Sequence, residues 1–194
     1  MADERFGADY YRRFYERNPV HTAGSIGHLA AGVWHLAGWW GIRIRSVLDI
    51  GAGPGLWRDW FAANHPGLRY VSTDVSEYAC TKYGHQRRDI SAWRPRSPFD
   101  LVVCQGVLQY LTNEQADAAI GNLAVSTRHL MYLEVPTRHD HDHVIDAGAT
   151  DLDCHWRTGE WYRKRLTPHF VQVGAGLWAH RDGGVPFYEL ERGR

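Results

Sequence analysis

Three glycines follow a short apolar run in the first third of the chain. Residues 46–50 have the pattern of a buried parallel strand, and Asp49 lies near its end. Gly51, Gly53 and Gly55 come at every second position, and a helical pattern begins directly after them. Glycines let the backbone approach a ligand closely, and a helix N-terminus offers unbonded N–H groups. The segment is therefore predicted to bind a ligand.

An acidic residue ends the second predicted strand. Residues 68–75 read as a strand that finishes at Asp74 and Val75, about 20 residues after the glycines, which is the spacing of a βαβ unit. A carboxylate at this point can accept hydrogen bonds from both hydroxyls of a ribose. Because Ser76 follows, a turn or helix-cap role for Asp74 is the alternative. We favour ribose binding, since the glycine turn precedes it.

The next two predicted strands also end in polar residues or glycine. One strand is short and ends in Asp89 and Ile90; the other covers residues 98–104 and is followed by Gln105 and Gly106. Ligands bind at the C-terminal ends of the strands in open parallel sheets. These strand ends are therefore predicted to line the same site, with a surface turn as the alternative for Asp89.

Residues 137–153 form a polar segment after the fifth predicted strand. No helical period appears there, and a loop of this length is usually functional or disordered, so a solvated loop is the alternative to an active one. If the segment is extended, its three histidines point to one side and the alternating aspartates to the other. An imidazole suits a general base near neutral pH. The predicted catalytic residues are His139, His141 and His143.

The same region could hold a divalent metal ion. Carboxylate oxygens are the ligands that Mg²⁺ prefers, and Mg²⁺ can bind a diol. The spacing of the acids matches no metal motif, and adventitious metal binding is the alternative. The candidate ligands are Glu134, Asp140, Asp142 and Asp153.

Composition excludes several classes of partner. The chain has 194 residues, which suits a single domain, and 22 basic against 22 acidic residues give no positive field for nucleic acid. No apolar run reaches the ~18 residues of a membrane span, and the first residues lack the centre of a signal peptide. Cys80, Cys104 and Cys154 fit no zinc spacing, so we expect a reducing, cytoplasmic setting. The oligomeric state cannot be read from these features.

Further elements surround the predicted strands. Apolar spacing predicts amphipathic helices near the N-terminus, and strong turn residues predict a hairpin near the C-terminus. The remaining predicted elements are helices over 3–17 and 21–40, a helix after Thr112, a fifth strand over 129–135, a helix begun by Thr158, and a hairpin of 170–180 and 187–192 joined at 182–184.

These motifs resemble those of class I S-adenosylmethionine (SAM)-dependent methyltransferases. The D-x-G-x-G-x-G run is similar to their first motif and FDLVVCQGVLQYL to their fourth, so the resemblance covers residues 46–136. It implies an α/β fold with a doubly wound, Rossmann-like, seven-stranded sheet and an antiparallel C-terminal hairpin. It also implies a single domain over residues 1–194, in which residues 1–45 form a helical cap on the α/β core of 46–194.

The resemblance also implies a role for individual residues. The acid before Ile90 would contact the adenine amino group, and Gln105 would lie beside the methionine part of SAM. The implied cofactor-binding residues are Asp49, Gly51, Gly53, Gly55, Asp74, Val75, Asp89, Ile90, Gln105 and Gly106. The candidate residues for binding the acceptor are Tyr10, Tyr11, His21, Glu134 and Trp156.

Hydroxyl methylation is the predicted reaction. The chain lacks the Asn/Asp-Pro-Pro-Tyr/Phe sequence that many amino methyltransferases carry after the fourth strand, and a hydroxyl needs a base such as histidine. More narrowly, the chain is similar to actinobacterial small-molecule methyltransferases, including the sugar O-methyltransferases of mycobacterial methylmannose polysaccharide synthesis. That likeness implies a mannoside as the acceptor. The alternatives are N-methylation of a small metabolite, an NAD(P)-dependent oxidoreductase, and a non-catalytic SAM-binding protein.

Overall fold

The computed structural model of the chain describes residues 5–17 and 19–191. Its centre is a seven-stranded sheet with the order β3-β2-β1-β4-β5-β7-β6. Strands β1 to β5 are parallel, and β7 is antiparallel to both of its neighbours. The predicted fold is confirmed. The strands are β1 (Ser46–Ile50), β2 (Arg69–Asp74), β3 (Gln86–Arg87), β4 (Phe99–Gln105), β5 (Thr127–Glu134), β6 (Phe170–Gly174) and β7 (Leu177–His180).

Helices cover both faces of the sheet. Two of them begin as predicted from their capping residues, because the side chains of Thr112 and Thr158 accept a hydrogen bond from a backbone N–H of the first turn. Thr22 caps a third helix in the same way. The helices are α1 (Ala8–Tyr11), α2 (Ala23–Trp39), α3 (Leu56–Asn64), α4 (Glu77–Tyr83), α5 (Asn113–Ser126), α6 (Arg138–His143) and α7 (Gly159–Leu166), with a π-helix at Arg12–Arg17 and 3-10 turns at Leu108–Tyr110 and Glu189–Glu191.

Alternate residues of the central strands enter two separate cores. Leu48 of β1 packs in the core formed with α5 and α7, whereas its neighbour Val47 packs in the core formed with α2 and α3. All five residues of β1 are buried. A strand that is covered on both sides needs apolar residues at successive positions, which is why the strands appear as continuous apolar runs in the sequence.

The site is fixed by the order of the strands. β1 pairs with β2 on one side and with β4 on the other, so the direction in which the chain winds reverses between β1 and β4. At such a reversal the connections leave in opposite directions and open a crevice beyond the C-terminal ends of the strands. The glycine turn after β1 and residues 105–111 after β4 border this crevice.

The prediction that the segment after β5 is a loop without helix is wrong over residues 138–143. Residues 138–143 form α6, and Thr137 caps it through a reciprocal pair of hydrogen bonds with Asp140. His139 and His143 therefore stack on one helix face, with ring centroids 4.4 Å apart, while the ring of His141 lies 4.5 Å from that of Trp156. The capping signal at Thr137 was present in the sequence, and it determines the local structure.

The C-terminal hairpin forms with a different turn from the predicted one. β6 and β7 are joined at Ala175 and Gly176, both of which have positive φ, and residues 187–191 add no strand. Arg192 lies outside the described residues. Gly183 serves another purpose, because a Cβ there would come within 3.0 Å of the carbonyl oxygens of Arg128 and His129. The glycine allows the chain to lie flat against the start of β5.

Two further predicted elements differ from the structure. The helix expected over residues 3–17 consists of α1 and the π-helix, and residues 3 and 4 lie outside the described part. The third strand has two residues, so Asp89 and Ile90 lie in the loop after it. Within residues 5–17 and 19–191, no helix combines the length and the apolar character that crossing a membrane requires.

Candidate active site

The glycine turn after β1 is held by Asp74 and His85. Gly51 and Gly53 both adopt positive φ, which favours glycine at these positions. The amide of Gly53 donates to Oδ2 of Asp74 at 3.0 Å, and Nε2 of His85 donates to the carbonyl oxygen of Gly53 at 2.9 Å. The amide and the carbonyl oxygen of Gly53 are therefore both hydrogen-bonded, which fixes the turn. His85 was not identified from the sequence, where nothing distinguishes it from the other histidines.

A cavity of about 400 Å³ opens beside this turn. It brings together the carboxyl groups of Asp74 and Asp89 with the apolar side chains of Val75 and Ile90. Carboxylates suit the hydroxyls and the amino group of a nucleoside, and apolar side chains suit the faces of its base. The cofactor-binding residues predicted from the sequence that line this first cavity are Gly51, Gly53, Asp74, Val75, Asp89, Ile90 and Gly106.

The other predicted cofactor residues lie elsewhere. Gly55 is the N-cap of α3 and does not line the cavity; a Cβ there would come within 2.7 Å of the guanidinium of Arg58. Asp49 is 2% exposed and accepts a hydrogen bond from the hydroxyl of Tyr70 at 2.8 Å. Burial raises the pKa of Asp49 to about 7, against the lowering effect of Tyr70. Asp49 and Gln105 border a second cavity.

This second cavity has about 370 Å³ and adjoins the first. The two share the backbone at Gly51, Gly53 and Gly106, as well as a group of tyrosines. A hydrogen bond of 2.9 Å crosses the boundary between the hydroxyls of Tyr10, in the N-terminal segment, and Tyr110, in the turn after β4. The two cavities therefore meet along the glycine turn. The shared tyrosines are Tyr10, Tyr15 and Tyr110.

The sequence analysis missed Tyr15. It belongs to the π-helix and lies five residues after Tyr10 of α1, and both tyrosines line both cavities. Five residues do not match the α-helical period of about 3.6, so a helical pattern in the sequence does not place the two tyrosines on one face. The aromatic content of this segment was the available signal.

A chain of polar side chains crosses the floor of the second cavity. Nε1 of Trp57 donates to Oε1 of Gln105 at 2.8 Å, and Nε2 of Gln105 donates to Oε2 of Glu134 at 3.1 Å. Nε2 of His21 donates to Oε1 of Glu134 at 2.8 Å, and the hydroxyl of Tyr132 donates to Oε2 at 3.1 Å. The Glu134 carboxylate at the end of β5 therefore collects three donors.

The pKa values of Glu134 and His21 shift in opposite directions. Burial raises the pKa of Glu134, but the hydrogen bonds from His21, Tyr132 and Gln105 outweigh it, and the pKa lies below its ordinary value. The hydrogen bond to Glu134 raises the pKa of His21. His21 and Glu134 are thus an imidazole and a carboxylate in direct contact beside the cavity, an arrangement that can hold a proton.

Of the five residues predicted to bind the acceptor, three border the second cavity. These are Tyr10, His21 and Glu134. Tyr11 is buried against the first cavity, and Trp156 lines neither cavity, because its indole lies beside His141 and donates to the carbonyl oxygen of Leu152.

The predicted catalytic histidines are not brought into the site. His139, His141 and His143 are all exposed on α6, and none of them lines either cavity. Their exposure follows from the helix, because the residue of α6 that lines the second cavity is half-buried Asp140.

The predicted metal ligands do not form a metal site. Within residues 5–17 and 19–191, no three side chains of histidine, cysteine, aspartate or glutamate are grouped so as to hold an ion. Asp140 is occupied in capping α6, Asp142 pairs with His141, and Asp153 pairs with Arg5. Glu134 is bound by the donors described above.

One family model matches the central part of the chain. Residues 48–129 match the Methyltransf_12 family model, described as a methyltransferase domain. No curated protein sequence matches the chain. Among solved structures, the chain is similar to magnesium protoporphyrin IX methyltransferase (ChlM) from Synechocystis, a structure with bound S-adenosylhomocysteine (SAH). The identity is 17% over 92% of this chain and 95% of that chain, and the TM-score is 0.62.

Two further structures share the fold. N-methyltransferase NodS from Bradyrhizobium japonicum, in complex with S-adenosyl-L-homocysteine (SAH), is 16% identical over 89% of this chain and 97% of its own, with a TM-score of 0.57. DesVI of Streptomyces venezuelae is 14% identical over 79% and 90%, with a TM-score of 0.59. The chain therefore has the fold of the SAM-dependent methyltransferases, and its residues 48–129 are similar to a methyltransferase domain.

Proposed function

We propose that this protein is a SAM-dependent methyltransferase that methylates a hydroxyl group of a small molecule. The observation that carries the proposal is the meeting of the two cavities at the glycine turn, with the His21–Glu134 pair in the second. The first cavity would take the nucleoside and the second the acceptor. The family match and the SAM- and SAH-bound structural neighbours support the cofactor assignment.

The residues of the first cavity fit SAM. Asp74 would bind the ribose with the lone pairs that its backbone hydrogen bonds leave free. Asp89 already accepts from the amide and the hydroxyl of Ser91 through one oxygen, Oδ1, which leaves its Oδ2 for the adenine amino group. Ile90, which is buried against the cavity, would pack on the adenine ring.

SAM, when bound, supplies a methyl group on a positively charged sulfur, so the methyl needs no further activation. The protein must then align an acceptor oxygen with the methyl and remove a proton from that oxygen. Both tasks fall to the second cavity. The shared wall of tyrosines separates the two ligands except along the glycine turn, and this directs the acceptor to one point.

His21 is the base in this proposal. Its Nε2–H donates to Glu134, which leaves Nδ1 as the nitrogen that can accept a proton. As the oxygen–methyl bond forms and the methyl–sulfur bond breaks, the hydroxyl proton passes to Nδ1 of His21. Glu134 holds the ring in position and stabilises the imidazolium that results. The proposed base therefore lies just before α2 and contacts the last residue of β5. The sequence analysis had assigned this role to the histidines of α6.

A sugar hydroxyl is the acceptor suggested by the sequence resemblance, and a mannoside is the candidate to test. Its hydroxyls would have partners in a cavity lined by Glu134, His21 and Gln109. The N-methylation alternative differs in its demand on the base, since a neutral amine reacts before it loses a proton.

The test begins with calorimetric titration of SAM, SAH and NAD(H), followed by transfer of labelled methyl from SAM to methyl α-mannoside. We expect binding of SAM and SAH, and a loss of transfer of about 10²-fold or more in His21→Gln. His141→Gln is the matched control, because this histidine is exposed on α6. Binding of NAD(H) without SAH would reject the methyltransferase assignment. Loss of transfer in the control but not in His21→Gln would move the base to α6.

A further inference from the structure

The second cavity opens to solvent beside a group of apolar side chains. Phe14 and Val20 line it from the N-terminal segment, and Val144 and Ile145 line it from the chain after α6. Val20 is 55% exposed and Val144 is 72% exposed. We call these four side chains the apolar mouth. Single exposed apolar side chains are ordinary, whereas a group of them at a cavity is typical of a binding surface.

Both sides of the apolar mouth are held in place by the protein. The amides of Val144 and Ile145 donate to the carbonyl oxygen of Asp140 at 2.8 and 2.9 Å, where α6 ends. The ring of Phe14 packs against that of Tyr10, with the ring centroids 5.0 Å apart. An apolar surface that is ordered in advance binds an apolar group at a smaller entropic cost.

The apolar mouth adjoins the proposed base. Val20 precedes His21 in the chain, and the His21 ring contacts Glu134 at 2.8 Å at the floor of the same cavity. This floor is polar, because Gln105 accepts from Trp57 and donates to Glu134. The second cavity is therefore polar where the proposed reaction takes place and apolar where it opens to solvent.

We infer that the acceptor is amphiphilic: beside the part that bears the methylated hydroxyl it carries an alkyl or aryl group, and this group binds at the apolar mouth. The inference rests on the proposed function, since it assigns the second cavity to the acceptor. A ligand that is polar throughout leaves the four side chains in water, whereas an apolar group covers them. The residues of the mouth do not touch the reacting atoms, so their role is to select the acceptor.

The first experiment compares probes that differ only in an alkyl group. Methyl α-mannoside and hexyl α-mannoside are titrated into the SAH-loaded protein. Phenol and para-hexylphenol form a second pair, which removes the sugar from the comparison. Each methylene group that leaves water raises the affinity about fourfold, so we expect the hexyl compound of at least one pair to bind about tenfold more tightly or better.

The outcomes separate this inference from the proposed function. If neither hexyl compound binds more tightly than its short partner, or if none of the probes binds, the inference is wrong. SAH binding is measured in the same preparation and reports on the proposed function. A protein that binds SAH without a preference for the hexyl compounds loses only this inference, whereas a protein that does not bind SAH loses the cofactor assignment itself.

The second experiment locates the alkyl group with surface substitutions. Val20→Ser and Val144→Ser should each lower the affinity ratio of the hexyl compound to its short partner about threefold or more, because each removes apolar surface from the mouth. Val125→Ser is the matched control, since Val125 is 50% exposed on α5 and lines neither cavity. The control should keep the wild-type ratio. If both mouth variants keep it as well, the alkyl group binds elsewhere and the inference is wrong.

A second copy of the chain is the other candidate to cover the apolar mouth. Size-exclusion chromatography with light scattering gives the mass of the wild type and of Val144→Asp. We expect the same mass for both proteins, because the mouth binds a ligand. A wild-type dimer that Val144→Asp separates into monomers would assign the mouth to a contact between two copies and overturn the inference.

Discussion

His21 and Glu134 are 113 positions apart in sequence, and their side chains meet at 2.8 Å. His21 lies just before the Thr22 cap of α2, and Glu134 is the last residue of β5. The N-terminal segment and the central sheet are thus joined by a contact between an imidazole and a carboxylate at the edge of a cavity. This contact links the covering segment of the site to the part of the sheet where the chemistry is proposed.

Removing the charge of Glu134 should lower the pKa of His21. In the wild-type protein the hydrogen bond to Glu134 raises that pKa above its ordinary value, against desolvation. In Glu134→Gln the raising contribution is lost and desolvation remains, so His21 should titrate below the wild-type value. The measurement is an NMR titration of the histidine ring signals in the two ligand-free proteins.

The same substitution should move the acid limb of the pH–rate profile. The base must be neutral to accept a proton, so the rate falls as the pH falls through the pKa of His21. A lower pKa in Glu134→Gln therefore shifts this limb toward lower pH, while the maximum rate decreases. If the acid limb does not shift in Glu134→Gln, His21 is not the base. His180, whose pKa is lowered by burial at a distance from the site, serves as the internal reference in the NMR titration.

Asp74→Ala should weaken SAH binding by about 1–3 kcal/mol, because buried groups lose their partners. The carboxylate holds the amide of Gly53 through Oδ2 and the amide of Ser76 through Oδ1, so its loss affects both the ribose contacts and the glycine turn. Calorimetry gives the affinity. Asp117→Ala is the control, since Asp117 forms a surface ion pair with Arg165 and lies in neither cavity. Unaltered SAH affinity in Asp74→Ala would exclude the ribose assignment.

Asp49→Asn should stabilise the protein increasingly as the pH rises. Burial raises the folded-state pKa of Asp49 to about 7, whereas in the unfolded chain an aspartate titrates near pH ~4. Between these values the unfolded chain releases the proton and the folded chain keeps it, so wild-type stability falls as the pH rises through this window. Asparagine does not ionise and still offers an oxygen to Tyr70.

Urea unfolding at a series of pH values measures this effect. The difference in unfolding free energy between Asp49→Asn and the wild type should grow from about pH 4 to about pH 7 and then level off. Asp182→Asn, an exposed position after β7, should follow the wild type throughout. If the difference between Asp49→Asn and the wild type does not change with pH, Asp49 has the same pKa in the folded and the unfolded chain, and the prediction is wrong.

The hydrogen bond between Tyr10 and Tyr110 should slow the release of SAH. It joins the N-terminal segment to the turn after β4 at the boundary of the two cavities, so a bound nucleoside leaves past it. Tyr10→Phe and Tyr110→Phe should each raise the dissociation rate about fivefold, which corresponds to ~1 kcal/mol for one hydrogen bond.

The double variant distinguishes this bond from two independent effects. If the hydroxyls act through each other, the double variant should release SAH no faster than either single variant. Rates that multiply in the double variant would contradict the pairing. Tyr188→Phe is a suitable control, because Tyr188 is 79% exposed and lines neither cavity.

The sheet was predictable from the sequence because its signals are local. The apolar runs of β1 and β4 reflect burial on both faces, and the glycines at 51 and 53 reflect backbone conformations that other residues rarely adopt. Asp74 lies at the end of β2 and lines the first cavity for the same reason, since its position follows from the end of a strand.

The second cavity was only partly predictable, because its lining depends on distant contacts. Nothing local connects His21 with Glu134, whose side chains meet only in the folded chain. We predicted a catalytic role for the histidines of α6 because three titratable rings lie close together in the sequence. The capping hydrogen bonds of Thr137 wind that segment into a helix and leave the rings exposed.

Three tyrosines, Tyr10, Tyr15 and Tyr110, line both cavities, so a rotation of one of these rings changes the volume on both sides at once. In the proposed function, these rings would make the binding of the cofactor and the binding of the acceptor depend on each other. Any factor by which one ligand changes the affinity of the other must then be returned equally, because binding free energies are reciprocal. A substitution in this shared wall would therefore change acceptor affinity and the affinity for the product SAH together.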